Sequence, residues 1–324
     1  MRLELRFEAV DSPRPAEKIR TRFQRLWPAY HAWFLREGES RRPGYLTCRE
    51  ALYRHMPELA PTWEGLVDLV GGGDHEARLL SLYRPSPYLN GCSQAVWLRH
   101  RPALVRNYDY HPHHCEGTIL QSAWNGVRVI AQADGLWGAL DGMNEHGLVV
   151  SLAFGGRRVI GDGFGIPLVL RYILEFCRNV DEAAEALRRI PSHMAYNVLA
   201  LDRDGRYVNA HVGPDRPTDF LDAAAGTNHQ REVEWTAHAA ATRSLEREAF
   251  LRERIDDPGE ARERFIERFL EQPLYNAEYR RGLGTLYTAI YDPQTLTAEY
   301  RWHNHVWRQS FERFDEGAVT IRYG

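Results

Sequence analysis

Between residues 95 and 212 the sequence alternates short β-type segments with well-marked turns. The segments are rich in β-branched and aromatic residues, as is typical of strands. They cover residues 103–108, 127–131, 148–154, 196–201 and 206–212. Turn signals at 124–126, 143–147 and 202–205 each end in glycine, as hairpin turns commonly do. The pattern predicts a series of strands joined by tight turns.

Helical patterns interrupt these strands and follow them. Pro167 suits the first position of one helix, and Asn179 with Glu182 resembles a capping box that opens the next helix. After Gly226 the sequence becomes strongly charged, with a helical pattern from 242 to about 271, and it closes with a strand pair. Strands interrupted by a helical pair and followed by more helices predict a layered α+β domain rather than a parallel βαβ series.

The first 90 residues differ from the rest, because they are rich in Arg, Trp and Pro and mostly helical in pattern. Apolar residues spaced by three and four predict a helix over 15–35. A shorter helix is predicted over 63–70, with Thr62 as its N-cap and three glycines at 71–73 ending it.

Composition excludes several classes of protein. The 324 residues include 41 Lys and Arg against 44 Asp and Glu, a net charge of −3, which gives no electrostatic footprint for nucleic acid or an anionic membrane. The apolar runs are too short to span a bilayer, and the first residues do not resemble a secretory signal. Four scattered cysteines do not form a disulfide framework, so we expect a reduced, cytoplasmic protein in which a special cysteine is catalytic.

The first motif with chemical meaning is Asn90-Gly91-Cys92-Ser93. A glycine before cysteine removes bulk from the acyl side of one peptide bond and allows strained backbone angles. A thiolate can attack the preceding carbonyl, so the dipeptide suits an N-to-S acyl shift. The alternative for so short a motif is a buried cysteine beside a turn.

Two further motifs supply groups that such a cysteine needs. Arg106 and Asp109 close an apolar run; they form a surface ion pair, or they lie beside Cys92. In the second case Arg106 lowers the thiol pKa from about 8.5, and Asp109 holds the freed α-amino group. In Gly226-Thr227-Asn228-His229, Asn228 either forms a turn or donates its side-chain amide to a developing oxyanion.

In this order the motifs resemble N-terminal-nucleophile (Ntn) hydrolases of the choloylglycine-hydrolase type. The resemblance is to the branch containing acyl-coenzyme A:6-aminopenicillanic acid acyltransferase, peptidase family C45. It runs from about residue 65 to 247 and includes the helix that starts at 165. It rests on the ordered set Gly91-Cys92, Arg106-Asn107-x-Asp109, Met143-Asn144-Glu145-x-Gly147-Leu148 and Thr227-Asn228-His229.

The resemblance implies a four-layer αββα sandwich made as an inactive precursor. The precursor would cut itself between Gly91 and Cys92. Residues 1–91 would then form a mainly helical pro-segment, retained as a small subunit, and residues 92–324 the Ntn-hydrolase catalytic domain. The activity implied is cleavage of a linear non-peptide amide through a thioester, on a small-molecule amide or acyl-CoA-like substrate, with no cofactor and no metal ion.

The resemblance also assigns roles to individual residues. Cys92 is the nucleophile, and its freed α-amine is the general base. Arg106 lies beside the sulfur, Asp109 contacts the α-amine, and Asn228 holds the oxyanion. Arg247 matches a further family arginine, with a substrate-binding or structural role.

One position departs from the bile-salt hydrolases. They have an Asn after the Asn-Glu-x-Gly-Leu strand that completes their oxyanion hole, and this chain has Phe154 there. The second oxyanion donor must then be a backbone N–H. The departure favours the acyltransferase-like branch over a bile-salt substrate.

Three alternatives stay open at this stage. The cluster His111-x-His113-His114-Cys115, with His303 and His305 as distant partners, has the ligand types of a zinc site; otherwise it is a polar loop near the substrate cleft. A non-cleaving relative would act as a ligand-binding protein, although the presence of all four catalytic candidates argues against the loss of catalytic residues that this would involve. Within enzymes, the thioester is passed either to water or to an amine.

Overall fold

The computed structural model describes residues 3–88 and 91–323, and in them two β-sheets stack face to face. The strands are β1 (Leu3–Asp11), β2 (Gly91–Trp97), β3 (Ala103–Tyr110), β4 (Thr118–Ser122), β5 (Val129–Asp134), β6 (Gly138–Asn144), β7 (Val149–Phe154), β8 (Tyr196–Leu201), β9 (Tyr207–Val212), β10 (Asp219–Leu221), β11 (Ala225–Gly226), β12 (Gly284–Asp292), β13 (Thr297–Trp302), β14 (His305–Ser310) and β15 (Gly317–Tyr323). The helices are α1 (Glu17–Phe34), α2 (Tyr45–His55), α3 (Ala60–Val70), α4 (Asp74–Leu80), α5 (Ile166–Phe176), α6 (Val180–Arg189), α7 (Thr236–Ala241), α8 (Ser244–Asp256) and α9 (Arg262–Arg268).

The larger sheet has nine strands in the order β10-β9-β8-β7-β6-β5-β4-β1-β15. Its neighbours pair antiparallel, except for β1 and β4, which run parallel. The smaller sheet has six strands in the order β11-β2-β3-β12-β13-β14, all antiparallel. Consecutive hairpins therefore build most of both sheets, as the turn signals predicted.

Helices cover the outer face of each sheet. Helix α5 packs on β6 and β7, and α6 packs on β9. Gly142 of β6 makes room for α5, because a Cβ there would lie 2.9 Å from Leu174 Cδ1. On the other side α8 packs on β2, and the Phe265 ring of α9 lies 5.1 Å from that of Trp97. The α+β class and the four-layer αββα order predicted from the sequence are confirmed.

Polar bridges as well as apolar packing join the facing sheets. Ser151 Oγ of β7 donates to Gln94 Oε1 of β2 at 2.6 Å. Gln94 Nε2 in turn donates to the backbone oxygen of Asn197 in β8 at 2.9 Å. Buried polar groups need such partners, and these fix β2 in register against the larger sheet.

The N-terminal segment is helical from α1 to α4 but starts with a strand. β1 lies inside the larger sheet, between β4 and β15. Its residues Leu3–Asp11 alternate charged and apolar side chains, the period of a half-exposed strand. This strand was not predicted from the sequence, which was interpreted as mostly helical over the first 90 residues.

The elements that were predicted individually lie at the predicted positions, and most of them differ at their ends, whereas the predicted closing strand pair is four strands, β12 to β15. α1 and β8 lie where the sequence places them, and Asn179 Oδ1 accepts the Glu182 N–H at 3.0 Å as a cap. α3 begins before Thr62, which is therefore not its N-cap, and ends at Gly71 with φ +115°. The charged stretch from 242 forms two helices, α8 and α9, because Pro258 interrupts the pattern.

Among the described residues, no helix combines the length and the apolar character needed to cross a bilayer.

Candidate active site

Strands β2 and β3 pair antiparallel and bring the predicted residues together. Their register places Cys92 and Arg106 on one face and Gly91 directly opposite Asp109 on the other face. Arg106 and Asp109 are three residues apart, so they point to opposite sides of the strand. Both side chains are buried. They therefore do not form the surface ion pair that was the alternative for this motif.

Arg106 connects the cysteine to the facing sheet. Its Nη2 lies 3.3 Å from the Cys92 sulfur, and its Nε donates to the Leu152 carbonyl at 3.0 Å. Its Nη1 is paired with Asp141 and donates to the Tyr287 hydroxyl at 3.1 Å. The guanidinium is thus anchored on all sides with one edge on the sulfur.

Arg247 of α8 contacts the backbone of Cys92 rather than its sulfur. Its Nη1 donates to the Cys92 carbonyl at 2.7 Å and to Ser93 Oγ at 2.8 Å. The same atom lies 3.5 Å from Asp109 Oδ2. Asp109 Oδ1 accepts a hydrogen bond from Thr285 Oγ1 at 2.6 Å. Arg247, assigned to the site only by resemblance, lies in its centre.

Asn228 contacts the backbone nitrogen of the cysteine. Its Oδ1 accepts the Cys92 N–H at 2.9 Å and Arg247 Nη2 at 2.7 Å. Its Nδ2 donates to the Phe154 carbonyl at 3.1 Å. The Asn228 backbone N–H donates to Ser244 Oγ at 2.8 Å, so the start of α8 fixes this loop. The carboxamide lies at the junction where cleavage was predicted.

Burial and the neighbouring charges shift the pKa values of the groups around the thiol in opposite directions. Burial raises the pKa of the Cys92 thiol, and the positive charge of Arg106 counteracts that rise. Burial also raises the pKa of the Asp109 carboxyl, against the effects of Arg247 and the Thr285 hydroxyl. A cationic neighbour that favours the thiolate is typical of reactive cysteines.

Gly91 serves the first of the two purposes predicted for it, the removal of side-chain bulk, and not the second, a strained backbone. Its backbone is part of the regular strand β2 and does not have the positive φ of a strained glycine. A Cβ at this residue would lie 3.1 Å from Asp109 Cβ and 3.5 Å from Asp109 Oδ2. Glycine is therefore required for space, because it lets the Asp109 side chain approach the peptide bond before Cys92.

Phe154 is a buried aromatic residue whose backbone carbonyl contacts Asn228. Its ring lies edge-on to those of His238 and Tyr196, at centroid distances of 5.1 and 6.1 Å. The next N–H along the chain, that of Gly155, donates to the Ala195 carbonyl at 2.8 Å. Phe154 thus offers the site an apolar ring, the Gly155 N–H is already engaged, and a backbone donor to the oxyanion stays a prediction.

A cavity of about 870 Å³ lies near the site, and its lining includes Tyr110, the neighbour of Asp109, but not Cys92, Arg106, Asp109 or Asn228. The N-terminal segment forms one wall with residues of α1 and with 82–88, and Tyr110, next to Asp109, lies on another wall. The aromatic lining residues are Tyr30, Trp33, Tyr88, Tyr110 and Trp235, and the charged ones are Arg36, Arg157, Arg158, Arg281, Glu116 and Asp134. The cavity therefore has aromatic walls with charged groups set among them.

One of these charged groups, Asp134, is a carboxylate held among tyrosines. Its Oδ1 accepts a hydrogen bond from the Tyr30 hydroxyl at 3.2 Å. Burial raises the pKa of Asp134 to about 6, against the effects of Tyr30 and the more distant Arg22. Arg22 is itself paired with Glu116, so the charge of Asp134 is poorly compensated.

The histidine cluster lines this cavity rather than forming a strand. Residues Pro112–His114 are a 3₁₀ turn, because Pro112 interrupts the ladder. His111 and His114 stack at 4.9 Å. Across the described ranges, the trio of groups close enough to share a metal ion is Glu39, Asp74 and His75, and Arg78 pairs with both carboxylates.

Sequence reasoning missed the groups that support Arg106. Asp141 accepts hydrogen bonds from the hydroxyls of Tyr287 at 2.7 Å and Tyr291 at 2.5 Å. All three residues are buried. The signal available was a single acidic residue, Asp141, inside the otherwise uncharged strand Gly138–Asn144, since an acidic residue is seldom fully buried unless paired.

Comparison with known proteins gives one family match. The family model described as acyl-coenzyme A:6-aminopenicillanic acid acyl-transferase matches residues 97–307. The match includes Arg106, Asp109, Asn228 and Arg247 and begins five residues after Cys92. A search of curated proteins found no match.

Several solved structures are similar to the chain. An N-acylethanolamine-hydrolyzing acid amidase ortholog from Caenorhabditis elegans has 13% identity over 71% of this chain and 99% of its own, with a TM-score of 0.47. A penicillin V acylase from Agrobacterium tumefaciens has 14% identity over 68% and 87%, with a TM-score of 0.46. A conjugated bile acid hydrolase from Clostridium perfringens has 12% identity over 72% and 97%, with a TM-score of 0.46.

Proposed function

The chain belongs to the acyl-coenzyme A:6-aminopenicillanic acid acyl-transferase family, as the resemblance predicted, and from this we propose that it is a self-processed N-terminal cysteine amidohydrolase or acyltransferase. Its substrate would be a linear non-peptide amide, cleaved through a thioester on Cys92. The observation that carries the proposal is one cluster of contacts. Arg106 lies 3.3 Å from the Cys92 sulfur, and Asn228 accepts the N–H of the same residue at 2.9 Å.

Self-processing would create the catalytic amine. The Cys92 sulfur attacks the Gly91 carbonyl carbon, the C–N bond between the two residues breaks, and the nitrogen takes the thiol proton. Water then hydrolyses the thioester and leaves chains of 91 and 233 residues. The contacts of Asn228 and Arg247 at this peptide, on its nitrogen and on the Cys92 carbonyl, support a role in holding it in place.

Turnover would use the same groups on an external amide. A free α-amine has a reference pKa of about 7.7–8.0, so near neutral pH it can take the proton of its own thiol. The thiolate attacks the amide carbonyl, and the amine returns the proton to the leaving nitrogen. Asn228 would donate to the oxyanion, Asp109 would hold the amine, and Arg247 would keep both aligned. Water or a second amine then takes the acyl group.

The aromatic cavity is the proposed substrate site. At about 870 Å³ it is large enough for a small-molecule amide or an acyl-CoA-like acyl donor. Its apolar walls suit an acyl chain, and the histidines at 111, 113 and 114 form the polar loop at its edge. The N-terminal segment supplies one wall, which supports retention of residues 1–91 as a small subunit of the 92–324 catalytic domain.

The proposed location is cytoplasmic, where thiols stay reduced. The four cysteines are unpaired in the structure, which is compatible with the proposed cytoplasmic location.

Replacing the nucleophile tests the proposal. Cys92→Ala is expected to remain a single chain and to lose hydrolysis of chromogenic 4-nitroanilides, because both reactions use the same sulfur. Cys48→Ala is the matched control, since Cys48 is an equally buried free thiol outside the site. Wild-type cleavage or turnover by Cys92→Ala would overturn the mechanism. A wild-type chain that stays uncut, hydrolyses none of the anilides and still binds acyl compounds would be the ligand-binding alternative.

A further inference from the structure

Asp141 belongs to the sheet opposite the cysteine and ends a chain of buried polar contacts that leads to it. We propose that Asp141 is a positioning residue, which holds Arg106 against the Cys92 sulfur and cancels one of the two buried positive charges beside it. The inference rests on the proposed function, because it concerns the tuning of Cys92 as a nucleophile. Asp141 touches neither the sulfur nor the cavity lining, so it would act through Arg106.

The contacts of Arg106 fix the orientation of its guanidinium group. A guanidinium is planar and presents its N–H groups in a fixed fork. Asp141 and the Tyr287 hydroxyl take Nη1, and the Leu152 carbonyl takes Nε, which turns Nη2 toward the sulfur. Without the carboxylate, a fully buried Arg106 would lose its only anionic partner among the described residues, a change that is costly for a buried guanidinium.

The second oxygen of Asp141 is held just as firmly. Its Oδ1 accepts the Tyr291 hydroxyl at 2.5 Å, and that hydroxyl lies 3.0 Å from the Tyr300 hydroxyl. Tyr287 donates to Oδ2 at 2.7 Å. Hydroxyl donors of this kind stabilise the ionised carboxylate. The tyrosines of β12, with Tyr300 of β13 behind Tyr291, therefore hold the Asp141 side chain in place.

The charged side chains in direct contact with Cys92 or with its partners add up to zero. They are Arg106 and Asp109 of β3, Asp141 of β6 and Arg247 of α8. Tyr108 of β3, Tyr196 of β8 and Tyr287 of β12 also face them, and more distant interactions come from Asp134 of β5, Arg243, Glu246 and the histidines at 229 and 238. Two arginines balance two aspartates while the thiol is neutral. After cleavage, transfer of the thiol proton to the α-amine creates one negative and one positive charge, so the balance is kept.

Removing Asp141 would disturb that balance in a specific way. Asp141→Asn leaves one uncompensated positive charge beside the sulfur, which favours the thiolate. A thiolate that forms at lower pH is also a weaker nucleophile, with a Brønsted slope of about 0.4–0.5. The sulfur should therefore ionise more easily and react more slowly once ionised. General loosening of the fold would not produce this pair of opposite effects.

Alkylation of Cys92 by iodoacetamide measures both effects without a substrate. The rate is followed by mass spectrometry in the processed protein from pH 5 to 10. For Asp141→Asn we expect the midpoint to move about one pH unit lower and the plateau rate at high pH to fall about threefold. Glu175→Gln is the matched control, because it breaks the equally buried Arg171–Glu175 pair outside the site and should leave the midpoint unchanged.

Each other result has a defined meaning. An Asp141→Asn midpoint equal to that of the wild type overturns the inference, as does an equal shift in Glu175→Gln. If Asp141→Asn does not fold, Arg106→Met is compared with the double variant Arg106→Met/Asp141→Asn, which removes the pair together. Because Asp141 acts through Arg106, the two profiles should coincide, and a further shift of the midpoint in the double variant overturns the inference. A wild-type chain that is never cut at Cys92 contradicts the proposed function instead.

Discussion

The absence of a side chain at residue 91 allows Asp109 to lie beside the peptide bond that precedes Cys92. The two residues are directly opposite each other in the β2–β3 pair, with only van der Waals space between them. Arg247 and Thr285 then hold the carboxylate from the far side. The position of the Asp109 carboxylate therefore depends on close packing as well as on charge.

Gly91→Ala is therefore expected to slow self-cleavage by at least about tenfold, because a methyl group 3.1 Å from Asp109 Cβ forces the carboxylate away. The measurement is the rate at which the intact chain disappears in denaturing gels. Gly65→Ala, in the exposed part of α3 with nothing within 4 Å of the added methyl group, is the control and should be cut at the wild-type rate. Normal cleavage of Gly91→Ala would remove the steric argument.

Asp134 gives a pH-dependent prediction. Its pKa is about 6 in the folded chain and about 3.9 in an unfolded chain, so the folded state binds the proton more tightly. The stability that protonation provides is complete below about pH 4 and is lost as the pH rises through 6. Above that, the ionised carboxylate destabilises the fold by about 1–2 kcal/mol, after allowance for screening by cavity water.

Asp134→Asn should therefore raise the free energy of unfolding at pH 8 and have little effect near pH 4, as measured by urea denaturation at both values. The exposed Asp181 is the control, because its hydrogen bond with Arg206 lowers its pKa instead. Asp181→Asn should not stabilise the protein at pH 8. A loss of stability in Asp134→Asn at pH 8 would contradict the account of the cavity.

At the scale of elements, β1 joins the N-terminal segment to the catalytic layers. It pairs with β15 along seven residue positions and with β4 along four. Phe7 in its centre packs against Trp302, with ring centroids 4.8 Å apart. The strand thus holds the C-terminal strand in the sheet, which a detachable segment would not do.

We expect the two chains to stay together after cleavage, co-eluting in gel filtration and separating only under denaturing conditions. Phe7→Ala should weaken the association, since truncating a buried Phe costs about 3–5 kcal/mol. Glu4→Ala, which breaks only an exposed ion pair with Arg322, should not. Free 1–91 chain released by the unmodified protein would contradict a retained subunit.

Prediction from sequence succeeded where the signal is local. β8 was predicted with its observed ends and Asn179 as a cap, because strand alternation and capping depend on neighbouring residues. Asp141 was missed, because its role arises from tyrosines about 150 positions away that meet it only when the two sheets stack. Gly91 was singled out for its lack of bulk, and the structure supports that reason, but that the space is needed by Asp109 becomes visible only when the two strands pair.

At the scale of the whole molecule, the cavity lies between parts of the chain that processing would separate. Residues of α1 and 82–88 form one wall, and β3, β5 and the loop at 157–160 form others. The nucleophile lies directly after the last residues of that N-terminal wall. Cleavage would therefore free the amine of Cys92 without dismantling the cavity.

The intact mass of the purified protein under denaturing conditions, with N-terminal sequencing of the larger species, tests the central claim most directly. The account predicts chains of 91 and 233 residues, with the longer one beginning Cys92-Ser93-Gln94. A single uncut chain of 37.5 kDa would contradict it.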